Sequence, residues 1–423
     1  MNALERCERS LARIARDARL NAWSFVASAE ALAAARASDV RHLEGRRRGP
    51  LDGQLVAIKG NLAVAGWPHE GGLTVRAGVR ASVDAPVVAR LRAAGAVLLG
   101  LTTMDEGALG ADGIALSGPI HHPSAFGQSV GGSSGGSAVA VAAGHCDFAL
   151  GSDTIGSVRI PAALTGTIGF KPSSGRLDTA GLLPVHPRFD HVGPLVSRLE
   201  QLPAILAALG DPTGIATSGS VVLQPDISIG VIEDLTAMGV SSAVESAYQH
   251  ACRAVARAGV RLQRIRLAPL DPARLRRAIF ALAEHAMWQQ HCEHWWKRPQ
   301  DYSPRLSEWL RYGSTLTPDR LATFEKRIAD FCAAWREQTD ELVAVLTPTT
   351  PVLGFAHDSP PATLADLTAL ATAAAAPALS VPGPVVETSL GSQPQRLGLQ
   401  FIGSPGDDHR LYELVTALSS ALR

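Results

Sequence analysis

Lysine is nearly absent from this 423-residue chain: of its 39 basic residues only Lys59, Lys171, Lys297 and Lys326 are lysine, and the others are arginine. Arginine keeps its proton in a protein, whereas a buried lysine can lose it. Each surviving lysine is then a modest hint that arginine would not serve there. Net charge is missing as well, because Lys+Arg and Asp+Glu both total 39, and the one basic block is "RRR" at 46–48. A chain that grips a nucleic-acid backbone needs a positive stripe, so no direct nucleic-acid partner is expected. The five cysteines (Cys7, Cys146, Cys252, Cys292, Cys332) are odd in number and form no CxxC pair. That argues against a disulfide framework and against a cysteine zinc site. No window approaches the roughly 20 apolar residues of a membrane helix. The N-terminal "MNALERCERSLARIARDARL" sets its apolar residues among charges at helical spacing, unlike a signal peptide. A soluble, cytoplasmic protein without a membrane partner is expected. With no internal repeat and no linker in view, residues 1–423 read as a single domain.

What the chain does have is apolar material, 46 % hydrophobic against 18 % charged residues, enough for a substantial core. "SAEALAAARASDVRH" (28–42) predicts an amphipathic helix, and "QLVAIKG" (54–60) a buried strand ending at Lys59. "APVVARLRAAG" (85–95) and "AVLLG" (96–100) predict a helix and a strand; "SAVAVAAG" predicts a short helix of small residues, and "DFALGSD" (147–153) another strand. Such alternation argues for an α/β layered sheet, mixed but largely parallel, twisted, and covered by helices on both faces. Residues 241–340 turn mostly helical. "LVAVLTPTTP" (342–351) returns to a buried strand, and the Ala/Pro-rich stretch 360–388 reads as loop.

The run "GGSSGGS" at 131–137 is the sharpest local feature. A linker reading fails on context, since the run leads straight into a predicted helix. A phosphate loop would need GK[ST] and a dinucleotide loop GxGxxG, and neither is present. Both "GGSSG" and "GSSGG" satisfy GxSxG, the nucleophile elbow, but the preceding "SAFGQSV" lacks the strong strand that an elbow requires. Downstream, "GSDTIGSVRIPA" (151–162) sets Ser157 just beyond a strand end, where α/β proteins place chemistry. Two serine-bearing turns and a lysine-ended strand could therefore meet at one sheet edge, or the glycines could serve tight packing alone. Spacing leaves both readings open.

The longer segment "GGSSGGSAVAVAAGHCDFALGSDTIGSVRIPAALTGTIGFKPSSGRL" closely resembles the signature of the amidase signature family. "GPLDGQLVAIKGNLAVAG" (49–66) resembles that family's lysine segment and "DAPVVARLRAAGAVLLGLTTMDEGALG" (84–110) its next helix and strand. "LVAVLTPTTP" and "RLGLQFIGSPGDDHRLYELVTAL" (396–417) resemble its closing strands and last helix, while residues 210–335 match loosely. The resemblance implies a signature core at about 49–200, a helical, substrate-side region at about 241–340 and a C-terminal return to the sheet at about 341–423. It also implies a Ser–cis-Ser–Lys triad with Ser157 as nucleophile, Ser133 as the cis-serine and Lys59 as base. A serine hydroxyl is a poor nucleophile until a neighbouring base takes its proton, and a lysine at the end of an apolar strand has its charged form disfavoured. The N–H groups of Ile155, Gly156 and Ser157 would form the oxyanion hole, and Ser134, Asp153 and Arg159 fall where the family braces the site. Two positions depart from the family pattern: Lys59-Gly60-Asn61 stands for K-D-N, and Ile155-Gly156-Ser157 for G-G-S. A branched side chain at 155 would narrow the acyl pocket or strain the turn, so altered specificity is expected.

Other chemistry-bearing clusters have plainer readings. "EHAMWQQHCEHWWK" (284–297) gathers His285, His291, Cys292 and His294 among three tryptophans, and reads as a helix lining or lidding a substrate entrance rather than a metal site. His121 and His122 read as structural; Asp190-His191 would offer a Ser–Asp–His triad if the lysine arrangement were absent. Lys171 is assigned no chemistry. The expected activity is hydrolysis of a small carboxamide or urea-like amide to acid plus ammonia or amine, with no metal and no cofactor. The alternatives are an amidotransferase A-type subunit that releases ammonia from glutamine for a partner, and an acyltransferase or amide synthetase. A homodimer is compatible with either.

Overall fold

The strand Leu55–Lys59 is buried at all five positions, and its residues alternate between two cores: Val56 and Ile58 join one, Leu55 and Ala57 the other. That is the pattern of a strand covered on both faces. In the computed structural model, residues 1–211, 226–233, 235–266, 271–387 and 395–422 are described. Within them the strands run β1 (Trp23–Val26), β2 (Leu55–Lys59), β3 (Val97–Thr102), a two-residue-stranded hairpin β4 (Ile114–Ala115) and β5 (Gly118–Pro119), then β6 (Phe148–Asp153), β7 (Ile168–Lys171) and β8 (His191–Val196). The second half adds β9 (Ser228–Ile232), β10 (Arg261–Ile265), β11 (Ala344–Pro348), β12 (Ala378–Val386) and β13 (Gln395–Ile402). Outside the hairpin they form one sheet ordered β1-β3-β2-β6-β8-β7-β12-β13-β11-β9-β10.

The α/β class with a mixed central sheet is therefore the observed architecture. Parallel pairing lies in two blocks, β3-β2-β6 and β11-β9-β10, joined through antiparallel strands in the middle. The first block matters for function. Because β2 and β6 run side by side in the same direction, with Ile58 opposite Leu150, their C-terminal ends open on one edge. Lys59 and the Ser152–Asp153 pair thereby become neighbours.

Helices cover both sides. The helix Gly135–Ala142 is built from small residues, and a side chain at Gly136 would overlap the backbone of Thr103 and Ala22; smallness lets this helix lie against the sheet. Further on, helices Pro272–Lys297, Pro304–Ser314 and Pro318–Thr339 each start with Asp, Ser or Thr followed by Pro. The cap side chain accepts from the third residue on, and proline fills a position whose N–H needs no partner. One stretch differs from the sequence reading. Of the stretch 360–388, residue 388 lies outside the described residues, and 360–387 hold a helix, Asp366–Ala373, and the strand β12. β12 carries its prolines at a register shift between Pro382 and Val385, where a missing N–H breaks no ladder.

Candidate active site

Lys59 ends β2 with its side chain fully buried. Its Nζ donates to Ser133 Oγ and to Ser152 Oγ, each at 2.8 Å, and approaches Ser152 O at 3.4 Å. Burial pushes its pKa down from 10.5 to about 7, against the upward pull of the Asp105, Asp153 and Asp190 carboxyls. An ammonium that gives up its hydration shell loses more than an amine does. At neutral pH a large share of this lysine is thus an uncharged base.

Ser133 sits in the turn before the small-residue helix, and the Gly132–Ser133 peptide bond is cis. No side chain fits at Gly132, where a Cβ would overlap the Asp105 carboxyl. Ser134 ties this turn to its neighbours: its Oγ donates to Ser152 O (3.1 Å) and accepts from Ser152 N (3.3 Å), and its N–H donates to Ser157 O (3.1 Å). Ser157 is thereby held beside the Ser133 turn. No hydrogen bond joins the Ser133 and Ser157 hydroxyls, however, and Ser157 Oγ has no hydrogen-bond partner among the described residues. It opens instead on a cavity of about 310 Å³.

Below this turn lies a buried ion pair. Arg159 Nε and Nη2 donate to the two oxygens of Asp153 at 2.9 and 2.8 Å, and its remaining donors reach Thr368 O, Gln400 Oε1 and Thr372 Oγ1. Burial would raise the Asp153 carboxyl, but Arg159, with Lys171 and His191 beyond it, holds it well below the usual range. Asp153 Oδ1 also accepts the Gly156 N–H at 2.7 Å, and Oδ2 the N–H of Val158 at 3.1 Å. That corrects one expectation: the Gly156 N–H is already engaged inside the turn. The N–H groups of Ile155 and Ser157 have no acceptor among the described residues. Gly156 itself has φ +139°, and a Cβ there would run into Thr368, whose Oγ1 donates to Ile155 O at 2.5 Å.

The remaining candidates lie elsewhere. Asp190 accepts from Thr154 Oγ1 (2.6 Å) and from the N–H groups of Val185 and His186. His191 Nδ1 faces Phe189 O (2.7 Å) and its Nε2 faces Ser174 Oγ (3.0 Å), so the two build no triad on Ser157. Lys171 is fully buried, donates to Pro172 O (3.0 Å) and is likewise pushed down to about 7 by burial and then by Arg159. His285, His291 and His294 pair separately with Gly313 O, the Tyr302 hydroxyl and the Asp301 carboxyl; among the described residues no cluster has metal-ligand geometry. The long helix does line the cavity, but through Arg276, Phe280 and Ala283, one stretch earlier than the histidine-tryptophan segment expected to do so. Sequence reasoning missed Ser152, which contacts Lys59 as closely as Ser133 does, and Asn61, whose Nδ2 donates to Ser152 Oγ at 3.0 Å. Both lie beside quoted motif residues, which was the available signal. No described helix is long and apolar enough to cross a membrane.

Comparison with known proteins gives this geometry its context. The family model Amidase matches residues 5–412. The chain is 31 % identical to the A-type subunit of the glutamyl-tRNA(Gln) amidotransferase of Anaeromyxobacter dehalogenans (strain 2CP-C), covering 100 % of this chain and 93 % of that protein. It is 38 % identical to the corresponding protein of Anaeromyxobacter sp. (strain K) over 62 % of this chain, a match that spans 56 % of that relative. A solved amidase structure superposes with a TM-score of 0.90 at 27 % identity, covering 100 % of this chain and 97 % of the other. The family model and the solved amidase make this chain a hydrolase of amide C–N bonds. The chain belongs to the amidase family, in its amidase signature form.

Proposed function

We propose that this protein hydrolyses a small carboxamide or urea-like amide to acid plus ammonia or amine through a Ser157 acyl-enzyme. One observation carries the reading: a fully buried lysine hydrogen-bonded at 2.8 Å to Ser133, beside Ser157, which lines a cavity and whose hydroxyl has no hydrogen-bond partner among the described residues. Neutral Lys59 takes the Ser133 proton as Ser133 takes that of Ser157, and Ser157 Oγ bonds to the substrate carbonyl carbon. The contact between the two hydroxyls closes when substrate is bound, as catalytic hydrogen bonds commonly do. The developing oxyanion is received by the N–H groups of Ile155 and Ser157. Removing one such donor typically costs about 10²–10³ in rate. The C–N bond then breaks, Ser133 returns a proton to the leaving nitrogen, and water releases the acid by the same relay. Ser134, Asp153 and Arg159 hold the turn, and no step draws on a metal or cofactor.

Ser157→Ala should abolish both turnover and labelling by a fluorophosphonate. Lys59→Arg should abolish labelling as well, because arginine supplies no neutral base; persistent labelling of the Ser157 peptide in Lys59→Arg would refute the lysine's role. A second reading, an ammonia-releasing component of an amidotransferase, draws support from relatives that carry that name. Glutaminase activity that appears only with a partner would favour it, whereas hydrolysis of amides by the chain alone favours the first.

A further inference from the structure

The cavity in front of Ser157 has a definite chemical character. Leu109, Ile155, Ile160, Val185 and Leu364 line it, together with two aromatic rings, Phe280 and Trp309, set edge to face at 90° with centroids 5.4 Å apart. Two arginines reach the same wall, and both are committed: Arg305 pairs with Asp112, and Arg276 Nε donates to Asp366 at 2.5 Å. Arg305 also stacks over Trp309 and Arg277 over Phe280, so the ring pair has a guanidinium against each of its members. Lys59 and Ser133, the groups that would handle the departing nitrogen, are completely buried and line none of it. The room therefore belongs to the acyl half of a substrate, with the fully buried Lys59 and Ser133 on the nitrogen side.

Resting on the hydrolase reading above, we infer that the substrates are primary amides of neutral aromatic or branched apolar acids. The acyl group lies between Ile155 and the Phe280–Trp309 pair, and ammonia leaves. A cavity of about 310 Å³ is at the small end for ligand sites, which suits one ring or one branched chain. Glutamine fits poorly. Its α-carboxylate and α-ammonium would have to leave water for a mainly apolar wall on which Arg276 and Arg305 are each already paired with a carboxylate, and burying charge without a full set of partners is costly. Ile155, where the family commonly has glycine, narrows the floor beside the nucleophile and adds apolar contact. Trp309 and Ile155 are thus specificity-determining residues.

The test compares kcat/KM for phenylacetamide, isobutyramide, propionamide, phenylacetanilide and glutamine on the intact chain. Phenylacetamide should exceed glutamine by at least about 100-fold, since each apolar group in a fitted pocket is worth about 10- to 200-fold, and the anilide should be poor. Trp309→Ala should lower the phenylacetamide-to-propionamide ratio by about tenfold, with Ile155→Gly as a second probe should the first variant misfold. Equal or better use of glutamine, or an unchanged ratio in both variants, overturns the inference. Fluorophosphonate labelling of Ser157 separates the outcomes: a labelled enzyme without apolar preference refutes this substrate class alone, whereas an unlabelled, inactive chain refutes the hydrolase reading beneath it.

Discussion

The depressed pKa of Lys59 makes a quantitative demand on the pH dependence of both rate and stability. With a midpoint at about 7, roughly one-tenth of the amine is neutral at pH 6 and about one-hundredth at pH 5. The logarithm of kcat/KM, followed by ammonia release between pH 5 and 9, should rise with a slope near one and level off above about 7.5. Rates of fluorophosphonate labelling should follow the same curve without involving any substrate. Stability supplies an independent check. The unfolded chain holds the lysine proton up to 10.5, whereas the folded chain loses it at about 7. Between those values the unfolded state binds more protons, so stability rises with pH at about 1.4 kcal/mol per unit. Below about 7 the full penalty applies, about 5 kcal/mol relative to pH above 10.5. Lys59→Met removes the penalty: it should be inactive, more stable than the parent at pH 7 in urea melts, and less pH-dependent between 7 and 10. A flat rate profile from pH 5.5 to 8, together with an unchanged stability slope in Lys59→Met, would show that this lysine is an ordinary cation and refute the reasoning.

Further expectations concern the surrounding groups. Ser152→Ala removes an acceptor that favours the ammonium over the amine, so the rate midpoint should move down by about one unit; an upward move in the pH profile would contradict this. Arg159→Met leaves the Asp153 carboxylate buried without its cation and should cost about 3–5 kcal/mol in denaturant melts. EDTA should leave amide hydrolysis unchanged, and a loss restored by a divalent metal would return attention to the histidine-rich helix.

How much of this was readable in the chain differs from element to element. The buried strands were legible because parallel-sheet interiors are written as unbroken apolar runs, and "LVAIK" has no other economical reading. The lysine and the two serines were legible through a long motif. Ser152 was not, because a serine inside a strand looks like any other until β2 is laid beside β6 and Lys59 finds it. Nor could spacing show that Asp153 would take the Gly156 N–H, since hydrogen bonds inside a tight turn depend on how the chain closes. Residues 360–388 misled for a compositional reason: alanine and proline together suggest loop, yet the helix ends before Pro377 and β12 takes its prolines where the ladder is already shifted.

Arg159 spends its donors on partners far apart in the sequence, reaching Asp153 six positions back and Gln400 241 positions ahead. The loop that bears Ser157 is thus clamped by β13, a strand far along the chain from it. Lys59, Ser133 and Ser157 are all translated long before Gln400, so the brace on their turn is added well after them. The turn is therefore unbraced until β13 has been made, and cutting the chain before Gln395 should loosen the Ser157 turn while leaving residues 59, 133 and 157 in place.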